Sequence, residues 1–282
     1  MDIGLAVELG AVAAVAAILG SMLGLGGGVF LVPIFTLFFG VDQKVAVGAS
    51  AVAVVTNSVV GSSIHLRSRF TNLRLAMLLQ VATASGAIVG ALIGVAANPA
   101  LIYAVFGGVL VYAAVSMGLQ RKEQPEVVVP GTPDPLRLGA LFRDPATTRE
   151  VAYVPRRMPL GLGIGAGAGV LSGMLGVGGG VVLVPAMNLL MNVPVKAAVG
   201  TSSFMVGMTS VATAFVFYSR GKIDPTVVVP AIVGVFAGGQ LGSRLTRRLR
   251  ARRLTLLFAV ILLYLGLSLV LRAFDINLPG QR

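Results

Sequence analysis

Cysteine is absent from this chain, histidine occurs once, and only ten of 282 residues are acidic. The first absence excludes disulfides, thiol nucleophiles and thiolate metal sites. A lone histidine, His65, cannot hold a metal, and beside a basic loop it reads as an interfacial residue. The acidic residues stand at 2, 8, 42, 123, 126, 134, 144, 150, 224 and 275. Glu8 is the only one that reaches into an apolar run, so no buried carboxylate pair is available for hydrolysis or a proton relay. No HExxH zinc motif or GxSxG nucleophile elbow occurs either. The expectation is a protein that is not an enzyme, with no catalytic residues, no metal ligands and no cofactor.

Charge is scarce as well. Charged residues make up 11% of the chain, against about 25% in soluble domains, and the mean hydropathy is +0.93. Such a chain is built for lipid, and without strand alternation a barrel is excluded in favour of helices. The net charge of +12 comes from Lys and Arg in short loops. They read as topology determinants facing anionic headgroups rather than a nucleic-acid surface. The N-terminus shows no basic region followed by a small-residue cleavage site, so the first apolar run is expected to be retained.

Apolar segments run at about 3–39, 45–65, 75–97, 101–119, 159–191, 197–218, 226–243 and 254–271. A single crossing needs about 20 residues. The first and fifth segments are too long for one span, and each carries a glycine cluster near its middle, which predicts a broken helix or helical hairpin. These clusters belong to a duplication. Met22–Pro33 returns as Met174–Pro185, and the match continues without a gap through Val41, Lys44, Ala46, Val47, Gly48, Ser50, Ser58 and Val59. The expected architecture is an all-α polytopic membrane protein of two repeats, 1–119 and 159–282, joined by an extramembrane linker, 120–158. Each repeat would hold a glycine-broken helix or hairpin plus three transmembrane helices, giving 8–10 membrane segments.

Charge placement predicts how the repeats are related. If each long segment enters and returns on one side, 17 of the 22 Lys and Arg residues share a face with the linker. The positive-inside rule then puts that face and the linker in the cytoplasm, and the repeats are inverted in topology.

The glycine runs are not phosphate loops, since no Lys-Ser or Lys-Thr follows them. Small residues serve helix packing when they recur one turn apart, as Gly86, Gly90 and Gly94 do, and Gly234, Gly238 and Gly242. Those six predict helix seams. Three contiguous glycines instead favour local unwinding, at about 1 kcal/mol of helix propensity each. Unwinding would leave backbone N–H groups of Gly26, Gly27, Gly28, Gly178, Gly179 and Gly180 beside a helix N-terminus, where an anion is favoured. The segments that follow are polar, and from them Ser50, Asn57, Thr201, Ser202 and Ser203 are candidate substrate contacts, with Gln80 and Gln240 weaker ones of the same kind. Hydroxyls also bond their own helix backbone, so each of these has a purely structural alternative. Lys44 and Lys196 match across the repeat, either as snorkelling interfacial residues or as basic entrance residues.

The duplicated Gly-x-Gly-Gly-Gly-x-x-Leu-Val-Pro, each copy followed by Val-Gly-[Ala/Thr]-Ser, resembles the TauE/SafE sulfite exporter family, also called the 4-toluene sulfonate uptake permease family. The likeness covers roughly 20–118 and 160–272 and leaves out the linker. It implies a multi-pass carrier of the bacterial or archaeal inner membrane for sulfite, sulfoacetate or a related anion. The family's motifs fall on Gly24–Pro33, Gly176–Pro185, Gly48–Ser50 and Gly200–Ser202. The expected partners are a small anionic substrate, membrane lipid and a coupling ion, H⁺ or Na⁺, with no nucleic acid. An anion channel and a carrier of another small organic anion remain open at this point, as does the oligomeric state.

Overall fold

The computed structural model describes residues 3–23, 25–67, 71–118, 134, 136–143, 150–246 and 251–274. Gly24, Arg69, linker residues 119–133, Arg247, Arg248, Arg250, Arg282 and the side chain of His65 lie outside the described residues. The first half forms α1 (Ile3–Leu23), α2 (Gly28–Leu37), α3 (Gln43–Arg67), α4 (Leu73–Ala96) and α5 (Pro99–Gly118). A two-stranded antiparallel hairpin follows, β1 (Ala140–Arg143) and β2 (Glu150–Tyr153). The second half forms α6 (Met158–Leu175), α7 (Gly180–Leu189), α8 (Val195–Ser219), α9 (Pro225–Thr246) and α10 (Ala251–Ala273). Among the described residues α1, α3, α4, α5, α6, α8 and α9 are long and apolar enough to cross a membrane. The chain is a polytopic, all-α membrane protein, and the hairpin is the one addition to the expected fold class.

Both over-long apolar runs are broken at their glycines, as the sequence predicts. At the first break the chain folds back so closely that a side chain on Gly20 would overlap the Gly27 backbone. The short helix α2 therefore starts against α1. Arg272 fixes its far end by donating to the Thr36 carbonyl at 3.0 Å while lying over the Tyr103 ring.

The spaced glycines build the seams. A side chain on Gly86, Gly90 or Gly94 of α4 would run into the α6 carbonyls of Ala166, Val170 and Met174, in that order. On α9, Gly234, Gly238 and Gly242 meet the α1 carbonyls of Gly10, Ala14 and Ile18. In lipid no hydrophobic force drives helices together, so contact of backbone on backbone supplies the attraction. The rising order of partners also gives direction: α1 runs parallel to α9, and α4 parallel to α6. Helices α3 and α8 run antiparallel, with Gly48 against Lys222, Ser58 against Gly207, and Thr71 donating to the Gly200 carbonyl.

Helices α4 and α9 are capped at matching repeat positions. Asn72 Oδ1 accepts the Leu75 N–H at 3.1 Å, and Asp224 Oδ1 accepts the Thr226 N–H at 2.8 Å and its hydroxyl at 2.7 Å. Asn72 also anchors the linker by donating from Nδ2 to the Leu138 carbonyl. Tyr153 of β2 is buried beside it among Leu75, Leu79 and Met191. Burial pushes the Tyr153 hydroxyl above the ordinary tyrosine range, against the opposing effect of its hydrogen bond to Asn72.

The bonds from Thr226 hold the Asp224 carboxyl below the usual aspartate range. A group whose pKa is lowered by folding contributes stability above its unfolded pKa and loses it as pH falls through the folded one. The gap in melting temperature between wild type and Asp224→Ala is therefore expected to be widest at neutral pH and to narrow on acidification below about pH 4. Asp224→Asn, which retains a capping oxygen but not the charge, is expected to melt between wild type and Asp224→Ala at neutral pH. Thermal melts in detergent across that range check both.

Candidate functional site

The sequence places a glycine run in each half, and the fold brings the two runs together. Gly26 and Gly27 have φ of 78° and 86°, and Gly178 and Gly179 have φ of 81° and 77°. This left-handed conformation is open to glycine and costly for side-chain-bearing residues. It lets α2 and α7 begin abruptly at Gly28 and Gly180. The two turns abut about halfway along α3 and α8. A side chain on Gly28 would lie 2.8 Å from the Gly176 carbonyl and 2.8 Å from Ser50 Oγ. Gly26 and Gly178 both press on Val54 and Val206, which occupy the same position in the two repeats and are fully buried.

Ser50 joins the halves by donating to the Gly176 carbonyl at 2.9 Å. Asn57 lies against the first turn, with its Nδ2 3.4 Å from where a Gly27 side chain would begin. Its Oδ1 accepts from Ser21 Oγ at 2.7 Å. Gly239 of α9 leaves room for that amide, because a side chain there would strike Asn57 Oδ1. Ser202 is fully buried on α8. Ser203 donates to its own helix at Val199, and its carbonyl receives the Ser58 hydroxyl.

Thr201 is not gathered to the turns. It sits near the start of α8, where its Oγ1 accepts the Asn72 N–H at 3.0 Å, and so it ties α8 to the α3–α4 connection. Gln80 donates to Thr209 Oγ1 at 3.2 Å. Gln240 is half-buried on α9, and Glu8 is exposed on α1. Lys44 donates to the Val95 carbonyl at 2.7 Å, closing the C-terminal end of α4 as a cation can.

Sequence reasoning missed four residues at the turns: Ser21, Ser172, Val54 and Val206. Ser172 Oγ and Ser210 Oγ are buried without a hydrogen-bond partner. A signal for the valines was present, since they are identical across the repeat. Ser21 and Ser172 lie in the unbroken apolar runs before the glycines, where a single hydroxyl has no distinguishing pattern, whereas Ser210 belongs to the polar segment after the second run and repeats Ser58. Among the described residues no group of three His, Cys, Asp or Glu side chains is placed to hold a metal ion.

The sequence profile of the family "Sulfite exporter TauE/SafE" matches residues 9–269, which takes in both glycine turns and the linker between them. The chain belongs to the TauE/SafE family. This TauE/SafE protein is 25% identical to the probable membrane transporter protein YunE of Bacillus subtilis, over 91% of its own length and 94% of the relative's. It is 26% identical to a probable membrane transporter protein of Xylella fastidiosa strain 9a5c, over 90% of each chain. A relative from Methanocaldococcus jannaschii, also named a probable membrane transporter protein, is 24% identical over 90% of this chain and 91% of its own. No solved structure matches the TauE/SafE chain. Family and apolar helices together establish a multi-pass membrane protein.

Proposed function

We propose that this chain is a secondary transporter that moves a small sulfur oxyanion or organosulfonate, such as sulfite or sulfoacetate, by alternating access. The coarser statement, that it is a membrane transporter rather than an enzyme, rests on the family and on the names of the relatives. The observation that carries the finer one is the meeting of two left-handed glycine turns deep in the helix bundle. Each turn opens a helix whose first N–H groups have no intrahelical acceptor and whose dipole favours an anion. The side chains around the turns are hydroxyls, an amide and valines. Sulfite or a sulfonate offers three acceptor oxygens to such donors.

Alternating access needs two halves that can exchange roles across the membrane. Support comes from the antiparallel run of α3 against α8 and from the matched parallel pairs, α1 with α9 and α6 with α4. These are the relations expected of inverted repeats. The ends of α3, α5 and α9 and the start of α8 then share one face, where the described residues Arg74, Lys196 and Arg244 stand and which the positive-inside rule assigns to the cytoplasm.

Uptake of sulfite and sulfoacetate into proteoliposomes tests the proposal. Saturable uptake, accelerated by the same anion on the opposite side, is the expected outcome. Flux that never saturates and shows no counterflow would instead describe a channel. No flux of any sulfur oxyanion would remove the substrate class.

A further inference from the structure

We propose that the two glycine turns are not equivalent, and that the oxyanion is taken at the second one by the hydroxyls of Ser172 and Ser210. The inference rests on the transport reading above and sharpens it. The two backbones are alike, with φ of 78° and 86° in one turn and 81° and 77° in the other. Their polar surroundings are not. Beside the first turn the hydroxyls are engaged: Ser21 donates to Asn57 Oδ1 at 2.7 Å, and Ser50 donates to the Gly176 carbonyl at 2.9 Å.

Around the second turn, two hydroxyls from different helices point at nothing. Ser172 of α6 and Ser210 of α8 are 0% and 1% exposed, and neither Oγ has a partner. A side chain on Gly178 would begin 3.1 Å from Ser210 Oγ, and one on Gly179 would begin 3.3 Å from the Ser172 Cβ. The Ser210 hydroxyl and the Ser172 side chain thus lie against adjacent residues of the turn from which the ten-residue helix α7 starts.

The difference is written in the repeat. Ser172 corresponds to Gly20, and the Asn57–Ser21 pair corresponds to Thr209 and Gly173. The hydroxyls beside the first turn are engaged in hydrogen bonds, whereas the second turn keeps two buried, unpartnered serines beside a helix N-terminus. Buried hydroxyls are ordinarily paired, and an oxyanion accepts from both hydroxyls and from the N–H groups of α7. Val54 and Val206 form an apolar wall against Gly178. The ligand class is a small oxyanion with several acceptor oxygens on one centre.

Sulfite uptake kinetics in proteoliposomes, with Ser172→Ala, Ser210→Ala, the double variant and Ser268→Ala, test the assignment. Each single change at the second turn is expected to raise KM about tenfold, and the double change more, with melting temperatures near wild type. Ser268→Ala, which removes an equally buried and unpartnered hydroxyl of α10 that touches no turn glycine, is expected to leave KM within about twofold. A double variant with wild-type KM overturns the assignment and leaves the transport reading standing. A shift in Na⁺ dependence with an unchanged sulfite KM overturns it too, by giving the hydroxyls to a cation. If the wild type moves no sulfur oxyanion, the transport reading fails. Calorimetric titration of wild type and double variant with sulfite then decides the hydroxyls separately. Weaker binding by the double variant supports the assignment, and equal binding or none by the wild type overturns it.

Discussion

Gly90→Val is expected to yield no monodisperse, folded protein, whereas Gly167→Val is expected to behave as wild type. Both glycines lie within the α4 and α6 pair. A side chain on Gly90 would overlap the carbonyl of Val170, while nothing lies within 4 Å of one on Gly167. The obstacle at Gly90 is backbone in a neighbouring helix, which has no rotamer to change. Relief requires moving α4 from α6, and the seam continues through Gly86, Gly94, Gly169 and Gly173. Separation at one point therefore loosens contacts along its whole length. Overpacking costs about 1–3 kcal/mol even where side chains can adjust, and here the contact itself is the source of association. Size-exclusion profiles and melting temperatures of the detergent-extracted variants make the comparison. Equal behaviour of the two valine variants would show that the seam is not what holds these helices.

Gly27→Val and Gly179→Val are expected to lose transport by a factor of ten or more while the protein still assembles. The reasoning differs from that at Gly90. A side chain at Gly27 would meet its nearest neighbours at 3.4 Å, and one at Gly179 at 3.2 Å, so space is tight but present. The penalty comes from φ near +80° at both residues, costing about 1–2 kcal/mol for an ordinary L-residue and more for a β-branched one. The chain relieves it by rotating the turn, which redirects the N–H groups at the starts of α2 and α7. Asparagine tolerates the left-handed region better than valine, so Gly179→Asn is expected to retain more uptake than Gly179→Val. Sulfite uptake at matched protein density in the liposomes is the readout. Wild-type rates in both valine variants would sink the proposed site.

Much of the fold was legible in the sequence because its signals are local or periodic. Long apolar runs give spanning helices. Contiguous glycine gives a break, and glycine every fourth residue gives a seam, as Gly86, Gly90 and Gly94 do against α6. The duplication adds that whatever one half does, the other does similarly. The linker was less legible. Its strands are four residues each, too short to show alternation, and their anchors, Asn72 and Tyr153, lie 81 positions apart.

The site was legible only to the level of which segments form it. By itself the sequence determined a helical membrane protein, two related halves and a glycine break in each, because composition and spacing act over a few turns of chain. The tertiary structure decided what faces those breaks. It put Val54 and Val206 between the two turns, sent Thr201 away to Asn72, and paired Ser21 with Asn57 while leaving Ser172 and Ser210 unpartnered. The physical reason is that a hydroxyl in an apolar run reads the same whether its hydrogen bond is made or missing. Its partner, where it has one, is brought by a helix dozens of residues away in the chain.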